Sequence, residues 1–144
     1  MAGKRITIGM IEEFFVDELD GERVFRSLER ADFVILHCIK KLSEESEDGR
    51  VYLKELGTAM GVTMPELSRM INSIQDKGYV LWKTSEDKTR TYVQLTSRAN
   101  RKIEKEQEDM REVFNKIKRV IPHDELEITL ATVRKISEVI REKG

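Results

Sequence analysis

Arg69 and Asn72 stand three residues apart, with Ser68 and Ser73 beside them, in a stretch whose apolar residues Leu67, Met70, Ile71 and Ile74 recur at helical spacing. On a helix that turns those four inward, Pro65, Ser68, Arg69, Asn72 and Ser73 point away from the body. A guanidinium can make a two-point hydrogen bond to a guanine edge, a carboxamide can do the same with an adenine, and a serine hydroxyl serves base or phosphate. Each good two-point contact discriminates between bases by roughly 1–3 kcal/mol. Downstream, Lys83, Lys88 and Arg90 add cations suited to a phosphate backbone or a minor groove. The chemistry these residues offer is recognition of double-stranded DNA.

Other reactive side chains lack the company that chemistry needs. His37 and Cys38 are neighbours, but successive residues of a helix point about 100° apart and do not face each other. Cys38 lies inside the apolar stretch 33–39, where a cysteine is ordinarily packing. Being the single cysteine, it cannot close an internal disulfide or supply a clustered zinc site. His123 follows Pro122 at a helix boundary, and two histidines so far apart support no metal site. No His-Glu-x-x-His run, phosphate-gripping glycine loop or nucleophile elbow occurs. The expectation is a protein that is not an enzyme and carries no cofactor. Phe14, Phe15, Phe25, Phe33 and Tyr52 suit either a ligand cavity or ordinary core, and the sequence leaves both open.

The elements that must position the polar face are legible around it. Thr63 followed by Glu66 reads as a capping box, and Pro65 is tolerated because first-turn amides are unpaired anyway. Lys77-Gly78 closes the helix, which places the reading helix at 63–77. Ahead of it, 52–60 makes a two-turn helix with Leu53, Leu56 and Met60 inward, and Gly61-Val62 supplies the turn. Behind it, 79–83 and 91–95 are rich in β-branched and aromatic residues around a polar turn at 84–90, which predicts a two-strand hairpin, or wing, over 80–95. Helix, tight turn, helix and charged hairpin across 51–96 make a winged helix-turn-helix.

The flanks are amphipathic helix. Met10, Ile11, Phe14, Phe15 and Leu19 predict a short helix that stops before Asp20-Gly21. From Arg23, the residues Val24, Phe25, Leu28, Ala31, Ile35, Ile39 and Leu42 predict a second, apolar nearly all round through 33–36 and therefore buried. The polar run 43–49 reads as a solvated loop. After Thr96, a good N-cap, Ile103, Met110, Val113, Phe114, Ile117 and Ile121 predict a long helix ended near Pro122, and Leu126, Leu130, Val133, Ile136 and Ile140 a final one. Residues 1–48 and 97–144 carry more apolar surface than the small central module can cover. A homodimer buries it, with Met10, Ile11, Phe14, Phe15, Ile117, Ile121, Leu126, Leu130 and Val133 as the dimerisation residues.

At 144 residues the chain is expected to be one domain, and 37% charged against 6% aromatic residues favours surface-charged helices over a sheet-rich sandwich. The fold class expected is mostly α with a small β-hairpin. The net charge of −1 conceals a segregation: residues 63–105 carry 9 basic against 5 acidic side chains, whereas residues 1–62 carry 9 against 13. Positive charge collects where the reading helix and hairpin lie. No stretch approaches the roughly 20 apolar residues that cross a bilayer, so no membrane partner is expected and the cytoplasm is the default compartment.

Over essentially its full length the chain resembles the MarR family of bacterial transcription regulators. The residues that carry the resemblance are Gly61-Val62-Thr63, Pro65, Ser68-Arg69, Lys77-Gly78-Tyr79-Val80 and Val93-Gln94-Leu95-Thr96. It implies a winged-helix homodimer joined through N- and C-terminal helices, a repressor that binds a palindromic operator and is commonly released by a small-molecule effector or by oxidation. Two departures bear on the wing. The family's Asp-x-Arg stands here as Asp87-Lys88-Thr89-Arg90, and Trp82 occupies a position where the family often has arginine, which implies fewer wing contacts to phosphate. The competing reading is a winged-helix module that binds another protein without specific DNA binding.

Overall fold

Local signals fix the centre of the fold. In a computed structural model, which describes residues 5–14 and 24–142, Gly61 takes a left-handed φ of 67° and ends helix α3, Leu53–Met60. That conformation costs glycine nothing, whereas a Cβ would meet the following carbonyl. Helix α4, Met64–Asp76, begins three residues later with Thr63 Oγ1 accepting from the Glu66 amide at 3.3 Å. Among the described residues, the return bond from the Glu66 carboxylate that would complete a capping box is absent. Gly78, at φ 82°, turns the chain out of α4 into β2, Val80–Thr84.

The hairpin forms as expected, but in a sheet of three strands. Strand β3, Thr91–Leu95, lies between β2 and a two-residue strand β1, Val51–Tyr52, and both pairings are antiparallel. The register sets Tyr52 opposite Tyr92 and Lys83 opposite Tyr92 on the other side, so these three side chains share a rung. The predicted helix beginning at Tyr52 starts instead at Leu53, because Val51 and Tyr52 pair with β3 first.

Two further helices complete the set before the long C-terminal ones: α1, Ile8–Glu13, and α2, Arg30–Glu45. Helix α2 begins at Arg30, later than the predicted helix, whose first residue Arg23 lies outside the described residues. The amides of Arg26, Ser27 and Leu28 donate to the Glu106 carboxylate, each at 3.0 Å, and cannot serve a helix. Phe15 and Leu19 lie outside the described residues.

The chain divides into two compact units, Met1–Asp109 and Met110–Gly144. In the first, Ile35, Leu36 and Ile39 of α2, Leu56 of α3, Leu67, Ile71 and Ile74 of α4, and Val51, Val80 and Val93 of the sheet form a fully buried core, joined by Ile103 of α5, Ser97–Val120. The second unit holds the end of α5 and all of α6, His123–Glu142, in which no residue is buried. Ile128 is 66% and Leu130 58% exposed there, Ile117 and Val133 are at the edge of exposure, and Ile121 and Leu126 are half-buried. Met10 and Ile11 on α1 are exposed and Phe14 is half-buried. Among the described residues no helix is long and apolar enough to cross a membrane.

Candidate nucleic-acid interface

Helix α4 buries Leu67, Ile71 and Ile74, and that choice of face leaves its polar side outward by the 3.6-residue period. Thr63, Pro65, Arg69, Asn72 and Ser73 are exposed, and Ser68 is half-buried. All six candidate reading residues therefore lie on accessible parts of one helix start and face. Met64, 46% exposed in the first turn, joins them; its place among inward-looking apolar residues hid it in the sequence.

Thr96 ties the end of α4 to α5. Its hydroxyl caps α5 by accepting from the Ala99 amide at 3.2 Å and donates to the Gly78 carbonyl at 2.6 Å, while its amide donates to the Tyr79 carbonyl at 3.0 Å. Arg98 Nε donates to the Lys77 carbonyl at 3.0 Å. These bonds satisfy carbonyls that the helix end would otherwise leave open. Lys77 also reaches Asp32 on α2 at 2.6 Å, and that hydrogen bond raises its pKa above the usual lysine range. Between this ion pair and Arg69, Met70 and Ser73 lies a cavity of about 290 Å³.

The wing is built around Ser85 and Asp87. Ser85 is buried; its amide donates to the Arg90 carbonyl at 2.8 Å and its carbonyl accepts from the Lys88 amide at 2.8 Å. Asp87 Oδ1 accepts from the Ser85 hydroxyl at 2.6 Å and from the Thr89 amide and hydroxyl at 3.1 and 2.8 Å, so its pKa falls to about 2. Lys88, at the tip, adopts a left-handed φ of 62° and is exposed. Lys83 is exposed as well. Trp82 is half-buried, and among the described residues its indole Nε1 is buried with no hydrogen-bond partner.

Arg90 turns toward the body. It donates to Glu55 of α3 at 3.2 Å and its guanidinium lies 3.5 Å from the Tyr52 ring centre. Arg50 mirrors it: the guanidinium stands 4.5 Å from the Tyr92 ring centre and grips both carboxylate oxygens of Glu86. This fork holds the Glu86 pKa down to about 2 and raises that of Arg50. The two tyrosine rings meet edge-on at 5.7 Å. Arg50, Glu55 and Glu86 were not singled out from the sequence, because their roles follow from β1, a strand too short to show alternation.

His37 stacks on Phe33 at 5.7 Å and is exposed, and burial pushes the Cys38 thiol pKa up, away from reactivity. Phe25 packs against Phe33 at 5.3 Å, whereas Tyr52 belongs to the sheet cluster. Among the described residues, no group of three or more His, Cys, Asp or Glu side chains could hold a metal ion.

No protein-family model matches the chain, and no curated protein matches its sequence. Solved structures do match. A mutant MarR from E. coli complexed with operator DNA superimposes with a TM-score of 0.70 at 17% identity, over 90% of this chain and 94% of that one. MepR, a transcription regulator of the Staphylococcus aureus multidrug efflux pump MepA, gives 0.61 at 15% identity, over 92% and 95%. The adhesin competence repressor AdcR from Streptococcus pyogenes gives 0.60 at 18% identity, over 93% and 98%. Across nine-tenths of its length, the chain carries the winged-helix fold of the MarR-family regulators.

Proposed function

We propose that this protein is a DNA-binding transcription regulator, a homodimeric repressor that reads a palindromic operator with the helix 63–77 and the wing 80–95. The observation that carries the reading is the polar, accessible face of α4, with Arg69, Asn72 and Ser73 exposed beside Lys83 and Lys88, on a fold that a MarR–operator complex shares. Arg69 and Asn72 would read base edges, Ser68 and Thr63 the edge or backbone, and the lysines phosphates. A second copy would cover the apolar faces of α1 and α6 and set two reading helices about 34 Å apart, one turn of DNA. A small-molecule effector has a place to act in the cavity that Arg69 and Ser73 border. No catalytic role is proposed.

Selection of bound fragments from random DNA tests this directly, with an enriched palindrome as the expected result. Against that site, Arg69→Ala should lose about 1–3 kcal/mol of base discrimination. Lys88→Ala should weaken every duplex alike and reduce the slope of log K against log salt by about one. Absence of any salt slope in the parent protein would refute the reading.

One observation favours a protein-binding module instead: Arg50 and Arg90 are engaged by Glu86 and Glu55, leaving the wing little net positive charge. Capture of a cellular protein without capture of promoter DNA would establish that alternative.

A further inference from the structure

Two arginines flank the Tyr52–Tyr92 pair, and they are held very differently. Arg50 has 21% of its side chain exposed and grips both oxygens of Glu86. Arg90 has 53% exposed, and its partner Glu55 has 56%. One terminal nitrogen of Arg90 meets one oxygen of Glu55 at 3.2 Å, while the flat face of the guanidinium rests on Tyr52. The register explains the geometry. Tyr52 pairs with Tyr92, so Arg90, two residues before Tyr92, lies diagonally across from Tyr52 and on the same face.

A guanidinium stacked on a ring by its face still presents its edge, and that edge carries five N–H donors in a fork matched to carboxylate or phosphate. Glu55 occupies part of this edge with the chemistry a phosphate would use. Exposed single-bond ion pairs of this kind exchange readily in water. Arg50 and Glu86, joined by two bonds, fix the wing; Arg90 and Glu55 leave a cation that a stronger anion can claim.

We propose that Glu55 is an internal competitor for phosphate: it holds Arg90 on Tyr52 in the free protein, and a DNA phosphate takes its place on binding. The proposal rests on the DNA reading above. Glu55 thereby sets the affinity of the wing without touching a base, through a residue of α3 that neither the reading helix nor the hairpin contains.

Fluorescence anisotropy of the full chain with the selected duplex, across a salt series, tests it with Glu55→Gln, Glu55→Ala, Arg90→Ala and the double variant Glu55→Gln/Arg90→Ala. Removing the Glu55 charge should tighten binding roughly 2- to 5-fold near 0.1 M salt, the gain from no longer breaking an exposed ion pair, and leave the log–log salt slope as it is, because Arg90 meets the same phosphate in both complexes. Arg90→Ala, which loses that contact, should reduce the slope by about 0.9. In the Arg90→Ala background the same change should have no effect. Unchanged affinity in both Glu55 variants would overturn the proposal, and so would a salt slope that Arg90→Ala leaves unaltered or a gain that persists without Arg90, because the gain would then be a general charge effect. A parent protein that binds with a salt slope alongside unresponsive Glu55 variants removes this proposal alone. Lack of salt-dependent duplex binding in every variant removes it together with the DNA reading.

Discussion

Glu106 carries a carboxylate with no exposure, and three successive backbone amides donate to it. An ionised carboxylate accepts from all three without conflict, whereas a carboxamide offers one acceptor and one competing donor. Glu106→Gln is therefore expected to lower the unfolding free energy by about 2 kcal/mol, and Glu106→Ala, which strands all three amides, by more. Urea denaturation measures both, and a loss below about 0.5 kcal/mol would contradict the argument. Nothing in the sequence marks this residue. It sits among Glu104, Lys105 and Glu108 in what reads as the charged side of a helix, and its partners lie 78 to 80 residues away. Arg69 and Asn72 were legible by contrast, because their outward direction follows from the apolar residues immediately around them.

At the level of elements, whatever was written locally could be read. The αL glycine at 61, the Thr63 cap, the Gly78 exit and the Thr96 cap are decided within four residues, and so were α4 and the start of α5. The start of α2 was not, since the helical period continues back to Val24 while a distant carboxylate diverts the amides. Strand β1 escaped because two residues acquire their conformation only by pairing with β3. The wing is also the element where pH should act. Glu86 and Asp87 titrate at about 2 in the fold, below the ordinary 4.5 and 3.8, held there by Arg50 and by the Ser85 and Thr89 hydroxyls. Folding thus favours their charged forms, so their support for the wing is complete above about pH 4.5 and is lost as pH falls through about 2. Carboxyl carbon shifts followed by NMR should show midpoints near 2 for these two residues, and midpoints near 4 would show the turn to be loose.

For the whole molecule, the second copy proposed above would cover the outward apolar residues of α6. Ile128, Leu130, Val139 and Ile140 are all more than half exposed, on a helix with no buried residue of its own. Leu130→Glu combined with Val133→Glu should shift sedimentation toward a single chain and weaken binding to a full palindrome at least tenfold while half-site binding survives. A dimer that persists in this variant would move the interface elsewhere. The sequence conveyed that these helices need covering, but not by what, because apolar periodicity records the need for a neighbour without its identity. The knot around Thr96 bears on such an assembly. Hydrogen bonds to the carbonyls of Lys77, Gly78 and Tyr79 leave no slack between the exit of α4 and the first turn of α5, so a tilt of one must rotate the other. Helix α5 is 24 residues long, about 36 Å, and a pivot of some 10° about its first turn corresponds to about 6 Å at that radius. A slight turn at the exit of α4 thereby becomes a swing of several ångströms at the far end of α5.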